Sequence, residues 1–297
     1  MTLSYLDERA NLDGKVAVVV GGAFGVGAAV TMALAKAGID IAFCDRRAEA
    51  VQTTQALVEG LGRHARGWVA DAFDPGQLNA FYDAFDAEFE RLDILVNVAG
   101  EAHIRRFTET TPQEWAGDVH RNFGWAIQST SRALPKIRSG GRGGSVISFT
   151  TIEAHRGAAG LAAYAGAKAG LTNFSRALGV ELAPERIRVN LIAPDTTPSE
   201  TSRNAVSPEI LAAIGHTSPE LVARSYGIYV PMGEAPPAEA LGDAVLFLAP
   251  DLSAWITGST LHVDGGTGAS MGFLHWPGPV EWAPSPPARL FREDAFG

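Results

Sequence analysis

The sequence contains very little cysteine and has no excess of positive charge. Cys44 is the single cysteine in 297 residues, so an internal disulfide framework is excluded and a reducing compartment is favoured. Because Cys44 follows the apolar letters IAF, we interpret it as a small buried side chain rather than a reactive thiol. The formal net charge of -9 argues against an extended nucleic-acid or anionic-membrane surface. We therefore expect no nucleic-acid partner.

The sequence also predicts neither a secretory signal nor a membrane span. The first residues, MTLSYLDERANLDGK, are acidic and polar, without the basic start and apolar core of a signal peptide. Residues 16–35 carry no charge and are long enough to span a bilayer. However, four regularly placed glycines interrupt this run and a polar stretch follows it, so a strand, a turn and a helix explain it better. We expect a cytoplasmic protein without a membrane partner.

Apolar runs alternate with stretches of helical periodicity between residues 15 and 264. Fully apolar strands that alternate with helices are typical of a doubly wound α/β fold, in which helices cover both faces of a parallel sheet. Such a sheet binds its ligands at the carboxyl ends of the strands. The predicted strands are 15–20, 39–44, 67–70, 92–98, 144–149, 186–193 and 259–263, and the predicted helices are about 26–37, 47–60, 75–90, 112–138, 161–183 and 238–249.

Two regions lie outside this alternation, although we treat residues 1–297 as one domain with its core at about 12–266. Residues 195–237 are rich in Pro, Ser and Thr and are predicted to be a loop region that covers the substrate. Residues 267–297 form a C-terminal extension whose aromatic rings should pack on this subunit or on a neighbouring one. The predicted apolar lid residues are Leu211, Ile214, Leu221, Tyr226, Ile228 and Met232, and the rings in the tail are Phe273, Trp276 and Trp282.

A glycine-rich turn links the first predicted strand to the first predicted helix. It contains Gly21, Gly25 and Gly27. A dinucleotide needs a tight turn at this place, close approach of the backbone to its pyrophosphate, and a helix N-terminus that faces the negative charge. The turn therefore predicts a dinucleotide site, with a purely structural turn as the alternative.

An acidic residue ends the second predicted strand. The carboxylate of Asp45 can accept hydrogen bonds from an adenosine ribose, and it would repel a 2′-phosphate. This residue favours NAD over NADP. The neighbouring Arg46 and Arg47 keep NADP open, because an arginine can bind the phosphate.

A tyrosine and a lysine lie one helical turn apart at Tyr164 and Lys168. An ammonium beside a phenol favours the phenolate and lowers its pKa, and such a group can exchange a proton with an alcohol or a ketone. The hydroxyls of Thr150 and Thr151 precede this pair and follow a predicted strand.

In order and spacing, these residues resemble the short-chain dehydrogenase/reductase family in its compact, single-domain, NAD(P)-dependent form. The resemblance covers residues 12–266 and includes Gly-x-x-x-Gly-x-Gly at 21–27, NVAG at 97–100, RVNLIAP at 188–194 and ITGSTLHVDGG at 256–266. It implies a Rossmann-type, seven-stranded parallel sheet, an oxidoreductase that acts on CH–OH groups, and a homodimer or homotetramer.

The resemblance also implies roles for individual residues. Tyr164 is the implied general acid or base, and Lys168 is implied to bind the nicotinamide ribose and to lower the pKa of Tyr164. Thr151 stands where the family usually has a serine that hydrogen-bonds the reacting oxygen. Asn122 matches the asparagine that holds a water in the proton relay. The implied cofactor-binding residues are Gly21, Gly25, Val26, Gly27, Asp45, Arg46, Asp71, Ala72, Asn97, Ala99, Gly100, Tyr164, Lys168, Pro194 and Thr197, and no metal ligand is implied.

Four positions depart from the family pattern: Val20 and Val98, which we interpret as local packing variants, and Thr151 and Asp195. Thr151 keeps a hydroxyl but adds a methyl group that stiffens the side chain, and we interpret it as a working substitute for serine. Asp195 replaces the glycine that usually follows Pro194 near the nicotinamide carboxamide, so the local backbone is expected to differ. Thr197 is our candidate for contacting that carboxamide.

The substrate is predicted from the residues that follow the site motifs. His103, Glu153, His155 and Tyr226 are the candidate polar contacts. Together with an apolar lid, they suit a bulky hydrophobic secondary alcohol or ketone, such as a steroid, a terpenoid or an aromatic compound.

Two alternatives stay open. A 3-oxoacyl-thioester (acyl carrier protein) reductase would prefer NADPH and a basic surface, which Asp45 and the net charge disfavour. A catalytically impaired nucleotide-binding scaffold is disfavoured because Tyr164, Lys168 and Asn122 are all present.

Overall fold

The computed structural model describes residues 5–198, 218–270, 272–276 and 282–284. Its centre is a seven-stranded sheet in the order β3-β2-β1-β4-β5-β6-β7. All neighbouring strands in this sheet are parallel, so the predicted fold class is confirmed. The strands are β1 (Val16–Val20), β2 (Asp40–Asp45), β3 (Ala65–Val69), β4 (Ile94–Asn97), β5 (Gly144–Phe149), β6 (Ile187–Pro194) and β7 (Thr260–Val263).

Helices connect the strands, and local signals explain where several of them begin. Asp74 caps α4 by accepting hydrogen bonds from two backbone N–H groups of its first turn, and Thr111 and Glu114 form a capping box at the start of α5. The helices are α1 (Tyr5–Ala10), α2 (Gly25–Lys36), α3 (Ala48–Gly60), α4 (Pro75–Glu88), α5 (Pro112–Val119), α6 (Trp125–Ser139), α7 (Ala162–Leu182), α8 (Pro219–Tyr229), α9 (Ala238–Leu248) and α10 (Thr267–Ser270).

The predicted helix over 112–138 is interrupted in the structure. Between α5 and α6 the chain makes one π-helical turn, His120–Gly124. A π turn is wider than an α turn and is frequent at functional sites. In this protein the turn contains Asn122.

The sheet has a hydrophobic core on each face. Because side chains alternate along a strand, Val18 and Val20 of β1 pack toward α4, α6 and α7, whereas Ala17 and Val19 pack toward α2, α3 and α9. Burial of each large apolar side chain contributes about 1.5–3 kcal/mol. The two cores therefore hold the carboxyl ends of the strands in fixed positions.

Cys44 lies in β2 and is buried, in agreement with the interpretation of the sequence. Burial raises the pKa of its thiol to about 12. A thiol that stays protonated is a poor nucleophile. Cys44 therefore serves as a packing residue in the sheet.

Part of the predicted lid and tail can be described. Leu211 and Ile214 lie outside the described residues. In α8 no side chain is buried, and Leu221 is 55% exposed. The tail forms a short antiparallel pair, β8 (Leu274–His275) and β9 (Trp282–Ala283), and β8 contacts α8. None of the described helices combines the length and the apolar character that crossing a bilayer requires.

Candidate active site

A cavity of about 500 Å³ lies at the carboxyl end of the sheet. It brings together the glycine turn, the acidic end of β2, the loop after β4, the first residues after β5 and two residues of α7. Of the residues predicted from the sequence, it is lined by Gly21, Gly25, Val26, Gly27, Asp45, Arg46, Asp71, Ala72, Ala99, Gly100, Thr151, Glu153, Tyr164, Lys168, Pro194 and Thr197.

The glycine turn is too crowded for a side chain at Gly21 and at Gly27. A Cβ atom on Gly27 would lie 1.7 Å from the carbonyl oxygen of Gly21, and one on Gly21 would lie 3.0 Å from the backbone nitrogen of Ala99. The helix α2 starts at Gly25, and Phe24 at its N-cap makes no side-chain capping hydrogen bond. Backbone N–H groups of the first turn therefore need an acceptor, and a pyrophosphate at this helix N-terminus fits that need.

The end of β2 is organised around Asp45. Its carboxylate accepts hydrogen bonds from the backbone N–H groups of Ala23, at 3.2 Å, and of Arg47, at 3.3 Å. The guanidinium of Arg47 lies 3.8 Å from the centre of the Phe24 ring. Arg46 forms an ion pair with Glu101, with 2.7 Å between Nη2 and Oε1. The carboxylate of Asp45 thus stands at the rim of the cavity where an adenosine ribose would fit.

Lys168 is buried next to the cavity. Its Nζ donates a hydrogen bond to the carbonyl oxygen of Phe149, at 2.8 Å. Burial penalises the charged ammonium and lowers the pKa of Lys168 to about 8. The ammonium lies close to Gly100, since a Cβ atom there would be 3.1 Å from Nζ and also 3.1 Å from Oδ1 of Asn122.

The pKa of Tyr164 is raised to about 12, opposite to the direction predicted from the Tyr-x-x-x-Lys spacing. Burial is the largest cause, and the carboxylates of Glu153 and Asp195 add to it by repelling a phenolate. A hydrogen bond with Thr151 acts in the other direction. The phenol form of Tyr164 is therefore the stable one in this structure.

Thr151 connects Tyr164 to Glu153. Its hydroxyl donates a hydrogen bond to the carboxylate of Glu153. Thr151 is also a hydrogen-bond partner of Tyr164, so one hydroxyl lies between the phenol and the carboxylate. Burial of Tyr164 and repulsion by Glu153 and Asp195 outweigh this hydrogen bond, and they are the reason that the phenol keeps its proton.

The two predicted asparagines occupy different places. The amide of Asn122 donates to the carbonyl oxygen of Glu101, at 2.7 Å, and its oxygen accepts from the N–H of Glu101, at 3.2 Å. Asn97 is buried and does not line the cavity. It accepts a hydrogen bond from Ser129, at 2.6 Å, and donates to Thr130, at 3.2 Å. Asn122 fixes the loop after β4, and Asn97 ties β4 to α6.

A polar network that the sequence analysis did not find surrounds Asp195. The Nη2 group of Arg156 donates to Glu153, at 2.8 Å, and to the hydroxyl of Tyr229, at 2.6 Å. Tyr229 donates in turn to Asp195, at 2.7 Å. Burial is the main cause of a raised pKa for Asp195. Arg156 and Tyr229 are 73 positions apart, so no sequence motif signals their contact.

The residue after Asp195 has an unusual backbone conformation. Thr196 has a φ angle of 51°, in the left-handed region that non-glycine residues rarely occupy. Its buried hydroxyl has no hydrogen-bond partner among the described residues. Since Thr196 lines the cavity, this hydroxyl is available to a ligand there.

Three of the predicted substrate contacts are not among the described residues that line the main cavity. His103 lies beside a small neighbouring pocket, with its Nδ1 2.9 Å from a carboxylate oxygen of Asp118. His155 packs against His262, with 5.0 Å between ring centres. Tyr226 belongs to α8. Glu153 is the predicted substrate contact that the structure places in the cavity wall.

Comparisons with known proteins agree with this arrangement. The model of the enoyl-(acyl carrier protein) reductase family matches residues 21–268. The 3-oxoacyl-[acyl-carrier-protein] reductase of Escherichia coli is 33% identical over 256 residues, which is 86% of this chain and 98% of the relative. D-threitol dehydrogenase of Mycolicibacterium smegmatis is 31% identical over 255 residues, which is 86% of this chain and 93% of the relative. The crystal structure of carveol dehydrogenase from Mycobacterium avium in complex with NAD is 28% identical, with a TM-score of 0.79, and the match covers 86% of this chain and 98% of that one.

The parallel sheet and the glycine-lined cavity are those of a nucleotide-dependent oxidoreductase. With the family match and the identity to the curated relatives, the chain belongs to the short-chain dehydrogenase/reductase family.

Proposed function

We propose that this protein transfers a hydride between NAD(H) and a secondary alcohol or ketone with a bulky hydrophobic skeleton. The observation that carries the proposal is the shared cavity, in which Thr151, Tyr164 and Lys168 face the same space as the glycine turn. The apolar side chains of Ile104 and Leu161 also line this space. The similarity to a carveol dehydrogenase supports an alcohol of this kind.

The cofactor would be held by the glycine turn and by the neighbouring end of β2. The backbone at Gly21, Gly25 and Gly27 would bind the pyrophosphate, and Asp45 would bind the adenosine ribose. Bound NAD supplies or accepts the hydride. The preference for NAD over NADP rests on the negative charge of Asp45, which would repel a 2′-phosphate.

The chain itself handles the proton. Tyr164 in its phenol form donates a proton to the oxygen of a ketone, and in the reverse direction its phenolate form accepts the proton of the alcohol. Thr151 orients the reacting oxygen, and the buried ammonium of Lys168 lies beside the site where the nicotinamide ribose would bind. Because the pKa of Tyr164 is raised to about 12, alcohol oxidation should become faster as the pH rises, and ketone reduction should be favoured near neutral pH.

A 3-oxoacyl-thioester reductase is the second candidate function. The identity of 33% to the Escherichia coli enzyme favours it. The test is to assay the purified protein with hydroxysteroids, terpenols and aryl alcohols in the presence of NAD or NADP, and with a 3-oxoacyl thioester in the presence of NADPH. NAD-linked oxidation of a bulky alcohol supports the first proposal. Faster reduction of the thioester with NADPH would replace it with the second.

We further propose that the protein is a cytoplasmic homodimer or homotetramer, on the strength of the family resemblance. Light scattering of the purified protein measures its mass in solution. A mass equal to one chain would contradict this part of the proposal.

A further inference from the structure

An ion pair crosses one side of the cavity between two loops that are distant in sequence. Arg46 follows β2, and Glu101 follows β4. The distance between Arg46 Nη2 and Glu101 Oε1 is 2.7 Å, that of a charge-assisted hydrogen bond. Both residues line the cavity. Arg46, one of the two arginines that follow Asp45 and line the cavity, is thus paired with a carboxylate across the site.

The position of Glu101 is fixed by its backbone. The side chain of Asn122 donates to the carbonyl oxygen of Glu101 and accepts from its N–H group, at 2.7 and 3.2 Å. The carboxylate of Glu101 is also largely shielded from solvent, since its side chain is 19% exposed. Because the backbone of Glu101 is already fixed, its carboxylate loses less conformational freedom on forming the ion pair than a carboxylate on a mobile loop would lose.

Glu101 has a second cationic neighbour, but that neighbour has another partner. The Nε atom of Arg121 lies 3.7 Å from Glu101 Oε2, whereas its Nη2 group lies 3.2 Å from a carboxylate oxygen of Asp118. Arg46 makes the shorter contact with Glu101. Removal of the charge of Glu101 would therefore release Arg46 in particular.

We propose that Glu101 is a cofactor-specificity residue, which excludes NADP by neutralising Arg46. The inference rests on the proposed NAD-linked function. A 2′-phosphate next to Asp45 would gain the guanidinium of Arg46 only by breaking its pair with Glu101. The phosphate would then face two carboxylates, those of Asp45 and Glu101. With Arg46 neutralised, a 2′-phosphate loses one of the two cationic side chains that follow Asp45, whereas the uncharged ribose hydroxyl of NAD needs neither.

The test is isothermal titration of NAD⁺ and NADP⁺ into the full-length wild-type protein and three variants. They are Glu101→Gln, Arg46→Ala and the double variant. Glu101→Gln should lower the ratio of the Kd for NADP⁺ to the Kd for NAD⁺ about tenfold, because Arg46 is released from its ion pair and can bind the 2′-phosphate. In the Arg46→Ala background the same substitution should change the ratio by less than about threefold. Glu109→Gln, which removes an exposed carboxylate from the same loop region, should leave the ratio unchanged.

Different results separate this inference from the proposed function. A wild-type protein that binds NADP⁺ more tightly than NAD⁺ contradicts the proposed NAD preference. A wild-type preference for NAD⁺ that Glu101→Gln leaves unchanged overturns the role of Glu101 alone. Arg46→Ala gives an independent check if the Glu101 variant folds poorly. Because Arg46 is already paired, its removal should weaken NADP⁺ binding by less than about threefold, and a tenfold loss would overturn the inference.

Discussion

Replacing Glu153 with glutamine should lower the pKa of Tyr164. In the structure the hydroxyl of Thr151 donates to Glu153, and this contact competes with the hydrogen bond between Thr151 and Tyr164 that lowers the pKa of the phenol. The carboxylate of Glu153 also repels a phenolate at Tyr164. Glutamine has nearly the same shape but no charge, so both effects are weakened while the packing is kept.

The size of the change follows from the causes of the raised pKa. The pKa of Tyr164 is raised from 10.0 to about 12, with burial as the largest cause and Glu153 ahead of Asp195 among the repelling charges. Since burial accounts for more than any charge, the loss of one carboxylate should lower the pKa by about one unit. One unit corresponds to about 1.4 kcal/mol of interaction with the charged form.

The assay is a spectroscopic pH titration of tyrosinate absorbance, recorded in rapid pH jumps before the protein unfolds. The chain has 5 tyrosines, and burial also raises the pKa of Tyr229 to about 12, so the signals must be separated. Subtracting the titration of Tyr164→Phe from that of the wild type isolates Tyr164. The same subtraction in the Glu153→Gln background uses the double variant.

A pKa of Tyr164 in Glu153→Gln that is equal to or above the wild-type value would contradict this prediction. So would a Tyr164 that titrates near neutral pH in the wild-type protein without added nucleotide. The second result would mean that Lys168 controls the phenol, as the sequence spacing suggested.

Three further predictions concern the proposed catalytic residues and the glycine turn. Thr151→Ala should lower kcat/KM about a hundredfold, because the hydroxyl proposed to orient the reacting oxygen is lost. Thr151→Ser keeps a hydroxyl and should stay active. Equal activity of Thr151→Ala and wild type would refute this role. Lys168→Met should raise the melting temperature at pH 7, because the pKa of Lys168 is lowered from 10.5 to about 8 and its charge destabilises the fold below that pH. The gain should shrink between pH 8 and pH 10.5, as the wild-type lysine loses its proton in the folded state, and a gain that grows with pH in calorimetry would contradict the assignment. Gly27→Ala should lose NAD binding and unfold at a lower temperature, because its Cβ would lie 1.7 Å from the oxygen of Gly21; unchanged titration and melting curves would show that the turn adapts.

The strands and the cofactor end of the cavity could be predicted from the sequence because their signals are local. Buried parallel strands are continuous apolar runs, so the prediction for residues 15–20 differs by one residue from β1 (Val16–Val20). The glycine turn is also local, since a side chain at Gly27 would collide with the backbone of Gly21. Asp45 is the last residue of β2.

The charge environment of the site could not be predicted, because it depends on contacts between distant elements. Arg156 and Tyr229 meet only when α8 packs beside the loop after β5. Asp195, which repels a Tyr164 phenolate, follows β6, and it meets the residues after β5 because these two strands are neighbours in the sheet. The spacing of Tyr164 and Lys168 in α7 predicted a lowered pKa for Tyr164. The tertiary structure instead raises that pKa.

The most direct test of the account compares Tyr164→Phe with wild type in two measurements on one preparation. Titration should show that the variant still binds NAD⁺, since the glycine turn and Asp45 are intact. Oxidation of the best secondary alcohol found with the wild-type protein should fall by at least about a hundredfold, because the group that exchanges the proton is missing. Turnover close to that of the wild type would contradict the assignment of Tyr164, and with it the proposed reaction.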